Sequence, residues 1–147
     1  MQYCVVVANG NQAKFFTLEE AAQPEYQSSP NLVETQSINH PDYHPSWSEE
    51  RMDDIEIDKH NNVEHDRRFA SDIAQAASQF TRRHHISDVV VVSQSRMLGH
   101  LRQALQQKLR GVSTQELVKD LSKLNPHELH SVLAKEKLIP KRKRPQH

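Results

Sequence analysis

The chain has 147 residues, of which 35% are hydrophobic, 26% charged and 5% aromatic, with as many Lys and Arg as Asp and Glu. That length suits one compact domain and excludes two large ones, and the composition excludes fibrous and low-complexity classes. The zero net charge hides a division: residues 1–60 hold 3 Lys/Arg against 11 Asp/Glu, and residues 61–147 hold 16 against 8. The basic half is a candidate for contact with an anionic partner, unless the two halves neutralise each other within one fold.

Along the chain, "YCVVVA" at 3–8 is a continuous apolar run of the kind found in a strand buried on both faces. Its Cys4 is the only cysteine, which excludes an intramolecular disulfide and predicts a buried thiol. "NGN" at 9–11 signals a hairpin, after which "AKFFTL" should pair back antiparallel. In "LVETQSI" at 32–38, Leu32, Glu34, Gln36 and Ile38 alternate with Val33, Thr35 and Ser37, which predicts an exposed edge strand.

Residues 39–60 have two prolines, many acids and no periodicity, and read as a long loop. A helix should follow, with Phe69, Ile73, Ala76, Ala77 and Phe80 on one face and Asn61 and Glu64 as a capping box. "DVVVVS" at 88–93 reads as a second buried strand. Met97, Leu98, Leu101, Leu105 and Leu109 then mark a helix ended by Gly111, with Ser93 and Ser95 available to cap it. "VSTQELV" at 112–118 reads as a strand. The last helix has Asn125 as N-cap, Pro126 in its first turn, Glu128 closing a capping box, and Leu124 and Leu129 as a hydrophobic staple. The expected organisation is a single α/β domain over 1–139 and a basic flexible tail at 140–147. No apolar run approaches the roughly 20 residues of a membrane helix, and the N-terminus lacks a signal-peptide layout, so a cytoplasmic protein without membrane insertion is expected.

Several residue groups are candidates for chemistry. Arg67, Arg68, Arg82, Arg83 and the tail residues Lys141, Arg142, Lys143 and Arg144 form basic clusters suited to RNA phosphates. Arg96 and Arg102, near the end of the second buried strand, suit a phosphate or carboxylate held with helix amides. Tyr43 and Trp47 on the acidic loop suit a protein partner better than stacked bases. His40, Asp42 and His44, joined by His60, His65 and Asp66, offer nitrogen and oxygen ligands, but their spacing matches no specific metal motif. His127 and His130, three apart in the last helix, read as solvated residues of its first turn. Asp88, Glu116 and Asp120 are the only acids near the ends of the later strands, and Asp88 and Asp120 read as loop and capping acids. No cofactor motif occurs, so no cofactor is expected.

The element order implies a mixed five-stranded sheet, three strands antiparallel and two parallel, joined by right-handed crossovers. This layout resembles the ribonuclease-H-like, translational-machinery-component-like fold. "VVVANGNQAKFF", "HDRRFASDIAQ", "VVVVSQSRMLGHLRQAL" and "ELVKDLSKL", in that order, resemble the bacterial family of proteins required for attachment to host cells. That family is similar to the central domain of archaeo-eukaryotic class I release factors, in which a Gly-Gly-Gln loop precedes a helix opening with an "RFA"-like stretch. Arg68, Phe69 and Ala70 match that stretch, and the resemblance puts residues 39–60 in the place of the catalytic loop.

These residues contain no Gly-Gly-Gln and no glycine, and the first strand carries no carboxylate for a two-metal nuclease. The expectation is a non-catalytic binding protein that contacts RNA or the ribosome and acts indirectly in attachment. The alternative is a hydrolase or nuclease acting on RNA or an RNA-linked ester through the 39–60 loop.

Overall fold

The computed structural model describes residues 3–19, 31–40 and 59–139. Their order is β1 (Tyr3–Ala8), β2 (Gln12–Glu19), β3 (Asn31–Asn39), α1 (Lys59–Arg83), β4 (Asp88–Ser93), α2 (Ser95–Lys108), β5 (Ser113–Val118) and α3 (Pro126–Lys135). One sheet takes the strands in the order β3-β2-β1-β4-β5. The β3, β2 and β1 pairings are antiparallel, and β4 and β5 extend the sheet parallel to β1. That is the mixed sheet expected of a ribonuclease-H-like layout.

Apolar burial on both faces explains the central position of β1 and β4. Cys4, Val6, Val89 and Val91 face α1 and α2, where they meet Phe69, Ile73, Phe80, Leu98 and Leu101. Val5, Val7, Val90 and Val92 face the other way, toward Leu129 and Leu133 of α3. The result is three layers with one sheet between two helical faces. β5 is the opposite case: its side chains are mostly exposed, so it closes the sheet as an edge.

The β1–β2 turn is built by Asn9, whose Oδ1 accepts from the amides of Asn11 and Gln12, both at 2.8 Å. β3 departs from strict alternation. Phe15 pairs with Gln36 and Phe16 with Glu34, leaving Thr35 as an extra residue whose hydroxyl donates to the Phe15 carbonyl at 3.0 Å. This bulge shifts the side-chain period by one. Leu32 therefore packs on the α3 side and Ile38 on the α1/α2 side, not on the common face their spacing suggests.

Three helix details also differ from the sequence expectations. α1 begins at Lys59, so Asn61 lies inside it, and Glu64 bonds Arg67 instead of closing a box. α2 is preceded by Gln94 as N-cap with no side-chain cap bond, so neither Ser93 nor Ser95 caps it. It ends at Lys108, before Gly111, which takes φ 72° in the turn to β5, a region open to glycine without strain. α3 follows its sequence signals: Asn125 and Glu128 form the reciprocal capping box, and Leu124 packs into the cluster that holds Leu129. Here His130 is 1% exposed, buried beside Leu129 and Leu133, and is not a solvated first-turn residue. Its helical position one residue after Leu129 puts it on the inner face.

Candidate functional site

The parallel strands give the molecule two distinct ends. At the carboxyl end lie the Asn9–Gly10 turn, Ser93, the start of α2 and the first turns of α1. Asp66, from α1, is buried there and holds α2 through Arg96, whose Nε and Nη2 approach Oδ2 at 2.9 and 2.8 Å. A Cβ at Gly10 would stand 3.4 Å from Asp66 Oδ1, so the carboxylate also packs against the hairpin turn. His40 continues this packing: its ring lies 5.3 Å from that of His65 and 5.1 Å from Phe69, and its Nε2 is 3.3 Å from the His65 carbonyl oxygen.

Of the candidate metal ligands, His40 and His65 are thus engaged in ring packing and Asp66 in an ion pair. Among the described residues no group of three or more His, Cys, Asp or Glu is placed to hold a metal ion. Asp42, Tyr43, His44 and Trp47 lie outside the described residues, as do Lys141, Arg142, Lys143 and Arg144.

The acids near the later strands have structural partners. Arg102 grips Glu116 with two bonds of 2.8 Å, and Glu116 in turn raises the affinity of the guanidinium for its proton. Asp120 accepts from the Ser122 hydroxyl at 2.7 Å and the Ser122 amide at 3.2 Å, which hold its carboxyl below the ordinary value. Asp88 accepts from the Ser87 hydroxyl at 2.9 Å. Arg67 pairs with Glu64 one helical turn away. Arg67, Arg96 and Arg102 are therefore already matched by carboxylates, whereas Arg68 is exposed on α1.

The opposite end holds the cations without such matches. Arg82 and Arg83 close the last turn of α1, Lys108 ends α2, and Arg110 follows it by two residues. Each is locally favoured, since a cation complements the negative pole of a helix carboxyl terminus. None of the four forms an ion pair among the described residues. Arg82, Lys108 and Arg110 stand around a cleft of about 180 Å³ whose apolar wall includes Ile86, Leu109 and Val112. Sequence reading found Arg82 and Arg83 and missed Lys108 and Arg110. The available signal was a cation in the last turn of α2, but only the crossover packing of α2 beside α1 brings the two helix ends together.

The element order, the strand directions and this arrangement of helices define a mixed α/β domain of ribonuclease-H-like layout. The chain belongs to the family described as "Protein required for attachment to host cells", whose model matches residues 4–133. No curated protein matches it. Among solved structures it is similar to "Thermus thermophilus RuvC structure", with 10% identity over 100% of this chain and 86% of that one, at a TM-score of 0.41. It is also similar to "T. thermophilus RuvC in complex with Holliday junction substrate", with 12% identity over 99% and 84% of the two chains and a TM-score of 0.42. Likeness at this level carries nothing about activity. No described helix is long and apolar enough to cross a membrane.

Proposed function

We propose that this member of the host-attachment family is a non-catalytic RNA-binding protein, contacting RNA or the ribosome, whose part in attachment is indirect. The observation that carries this reading is the set of Arg82, Arg83, Lys108 and Arg110 at the helix ends on one side of the domain, unmatched by described carboxylates, with Arg82, Lys108 and Arg110 lining a cleft. Unpaired cations on a rigid frame bind phosphates by releasing counterions, with little regard to base sequence. The low aromatic content fits such backbone contact better than base stacking. The tail from Lys141 to Arg144 adds four more cations. The "RFA" resemblance to release factors directs the reading toward RNA of the translation machinery. The hydrolytic alternative would act through the 39–60 loop, and no observation among the described residues favours it.

The test is fluorescence anisotropy of a labelled single-stranded RNA with the full chain across a salt series. Wild type should bind with log K falling linearly against log salt. Arg82→Ala with Arg110→Ala should bind more weakly and lower that slope by roughly 1.4, about 0.7 for each lost single-strand phosphate contact. Binding that is indifferent to salt, or unchanged in this double variant, would overturn the reading.

A further inference from the structure

The crevice between the carboxyl ends of β1 and β4 has features that RNA binding at the other end leaves unused. β1 turns back through the hairpin to β2 on one side, while β4 crosses over α2 to β5 on the other. The chain thus leaves two adjacent parallel strands in opposite directions, and open α/β sheets carry their ligands in the crevice this creates. Three observations coincide at its β4 side.

The first is the uncapped start of α2. Its earliest helical bond, from the Leu98 amide to the Gln94 carbonyl, is 2.9 Å long. The amides of Ser95, Arg96 and Met97 precede it, and the N-cap Gln94 supplies no side-chain acceptor. Instead, the Gln94 side chain reaches away to Asp120 at 3.3 Å.

The second is the Ser93 hydroxyl, which has no hydrogen-bond partner although the residue is 1% exposed. Alternation along β4 puts Ser93 on the face of Val89 and Val91, which α2 covers, and it immediately precedes Gln94. Its hydroxyl therefore lies on the helix-covered face of the sheet, at the strand end from which α2 starts. A buried hydroxyl without a partner is unfavourable, and a ligand oxygen would supply the missing bond.

The third is Arg96. Asp66 occupies only Nε and Nη2, both through Oδ2, and the side chain remains 59% exposed. Among the described residues nothing bonds its Nη1.

We propose that this crevice binds a terminal phosphoryl group, a phosphate monoester or inorganic phosphate, at the amino terminus of α2. The amides of Ser95 and Arg96, the hydroxyls of Ser93 and Ser95, and Arg96 Nη1 provide five donors on one side of a tetrahedral anion. A monoester presents three free oxygens to them, whereas a diester presents two. Arg96 stands between the ligand and Asp66, offsetting the repulsion of that carboxylate.

The test is a titration of the isotopically labelled full chain with inorganic phosphate at constant ionic strength, following amide resonances. The amides of Ser95, Arg96 and Met97 should shift saturably. Ser93→Ala should weaken binding about fivefold, the worth of one hydrogen bond. Because that hydroxyl has no protein partner, the variant should unfold at a urea concentration no lower than wild type does. Ser95→Ala, altered only at the surface, should also weaken binding. Dimethyl phosphate should bind less tightly than inorganic phosphate, and Arg82→Ala with Arg110→Ala should leave the shifts at 95–97 in place. Absence of saturable shifts there, equal affinity in Ser93→Ala, or equal binding of dimethyl phosphate would overturn the proposal. Loss of RNA binding would leave it standing, since the two sites occupy opposite ends of the sheet.

Discussion

Replacing Arg96 with alanine tests the joint that fixes the carboxyl end of the sheet. Asp66 has a side chain 12% exposed, and both contacts it receives from Arg96 fall on Oδ2 at 2.8 and 2.9 Å. Hydrogen bonds to charged groups contribute about 1.5 to 3 kcal/mol each, and breaking a buried pair leaves a carboxylate with nowhere to go. The Arg96 side chain, however, is 59% exposed, so solvent screens its half of the pair. Crediting one such bond in place of two gives a loss of about 2 kcal/mol, or roughly 4 to 8 °C in Tm for a domain of this size. Urea unfolding of wild type, Arg96→Ala, Asp66→Asn and the double variant supplies the measurement. The double variant should recover part of the Arg96→Ala loss, because no carboxylate is then left unmatched, and the coupling should reach about 1 kcal/mol. The comparator is Arg67→Ala, whose pair with Glu64 is solvated on both sides and within one helix, and should cost about 0.3 kcal/mol. If Arg96→Ala costs no more than Arg67→Ala, Asp66 does not depend on Arg96, and the structural role assigned to the pair fails.

Burial pushes the Cys4 thiol from its ordinary 9.0 up to about 12, so the native protein should resist a disulfide reagent at pH 8 and react only at the rate of unfolding. The same shift has a sign in stability: the unfolded thiol ionises first, so the contribution is whole below pH 9.0 and is lost as pH rises toward 12. Rapid stoichiometric labelling under native conditions would show that Cys4 is accessible. At the start of α3, Asn125→Ala removes the side-chain acceptor of the Glu128 amide, leaving only the bond from the backbone amide of residue 125 to Glu128, and should lower stability by about 1 kcal/mol in urea unfolding, with Asn125→Gly less costly. An unchanged midpoint would mean that tertiary packing alone holds that end.

Local patterns were sufficient wherever the relevant interaction is short in sequence. The runs at 3–8 and 89–92 are apolar at every position in a way that only a strand covered on both faces accommodates, and they became the paired centre of the sheet. Asn9 bonds amides two and three residues on, and Asn125 and Glu128 bond each other across one helical turn, so their roles are legible without a fold. The order of elements then limits the topology, because parallel neighbours need a crossover. Tertiary structure decided what depends on distant partners. The bulge at Thr35 arises from pairing between β2 and β3 and reverses the faces of Leu32 and Ile38. Asp66 and Arg96 are 30 residues apart, and no periodicity predicts that one neutralises the other. The same holds for Arg102 with Glu116 and for the meeting of Arg82 with Lys108 and Arg110 around a cleft. A sequence states which charges a chain carries, but an ion pair forms or fails according to separations of a few ångströms, and only the packing of α1 and α2 on the sheet sets those.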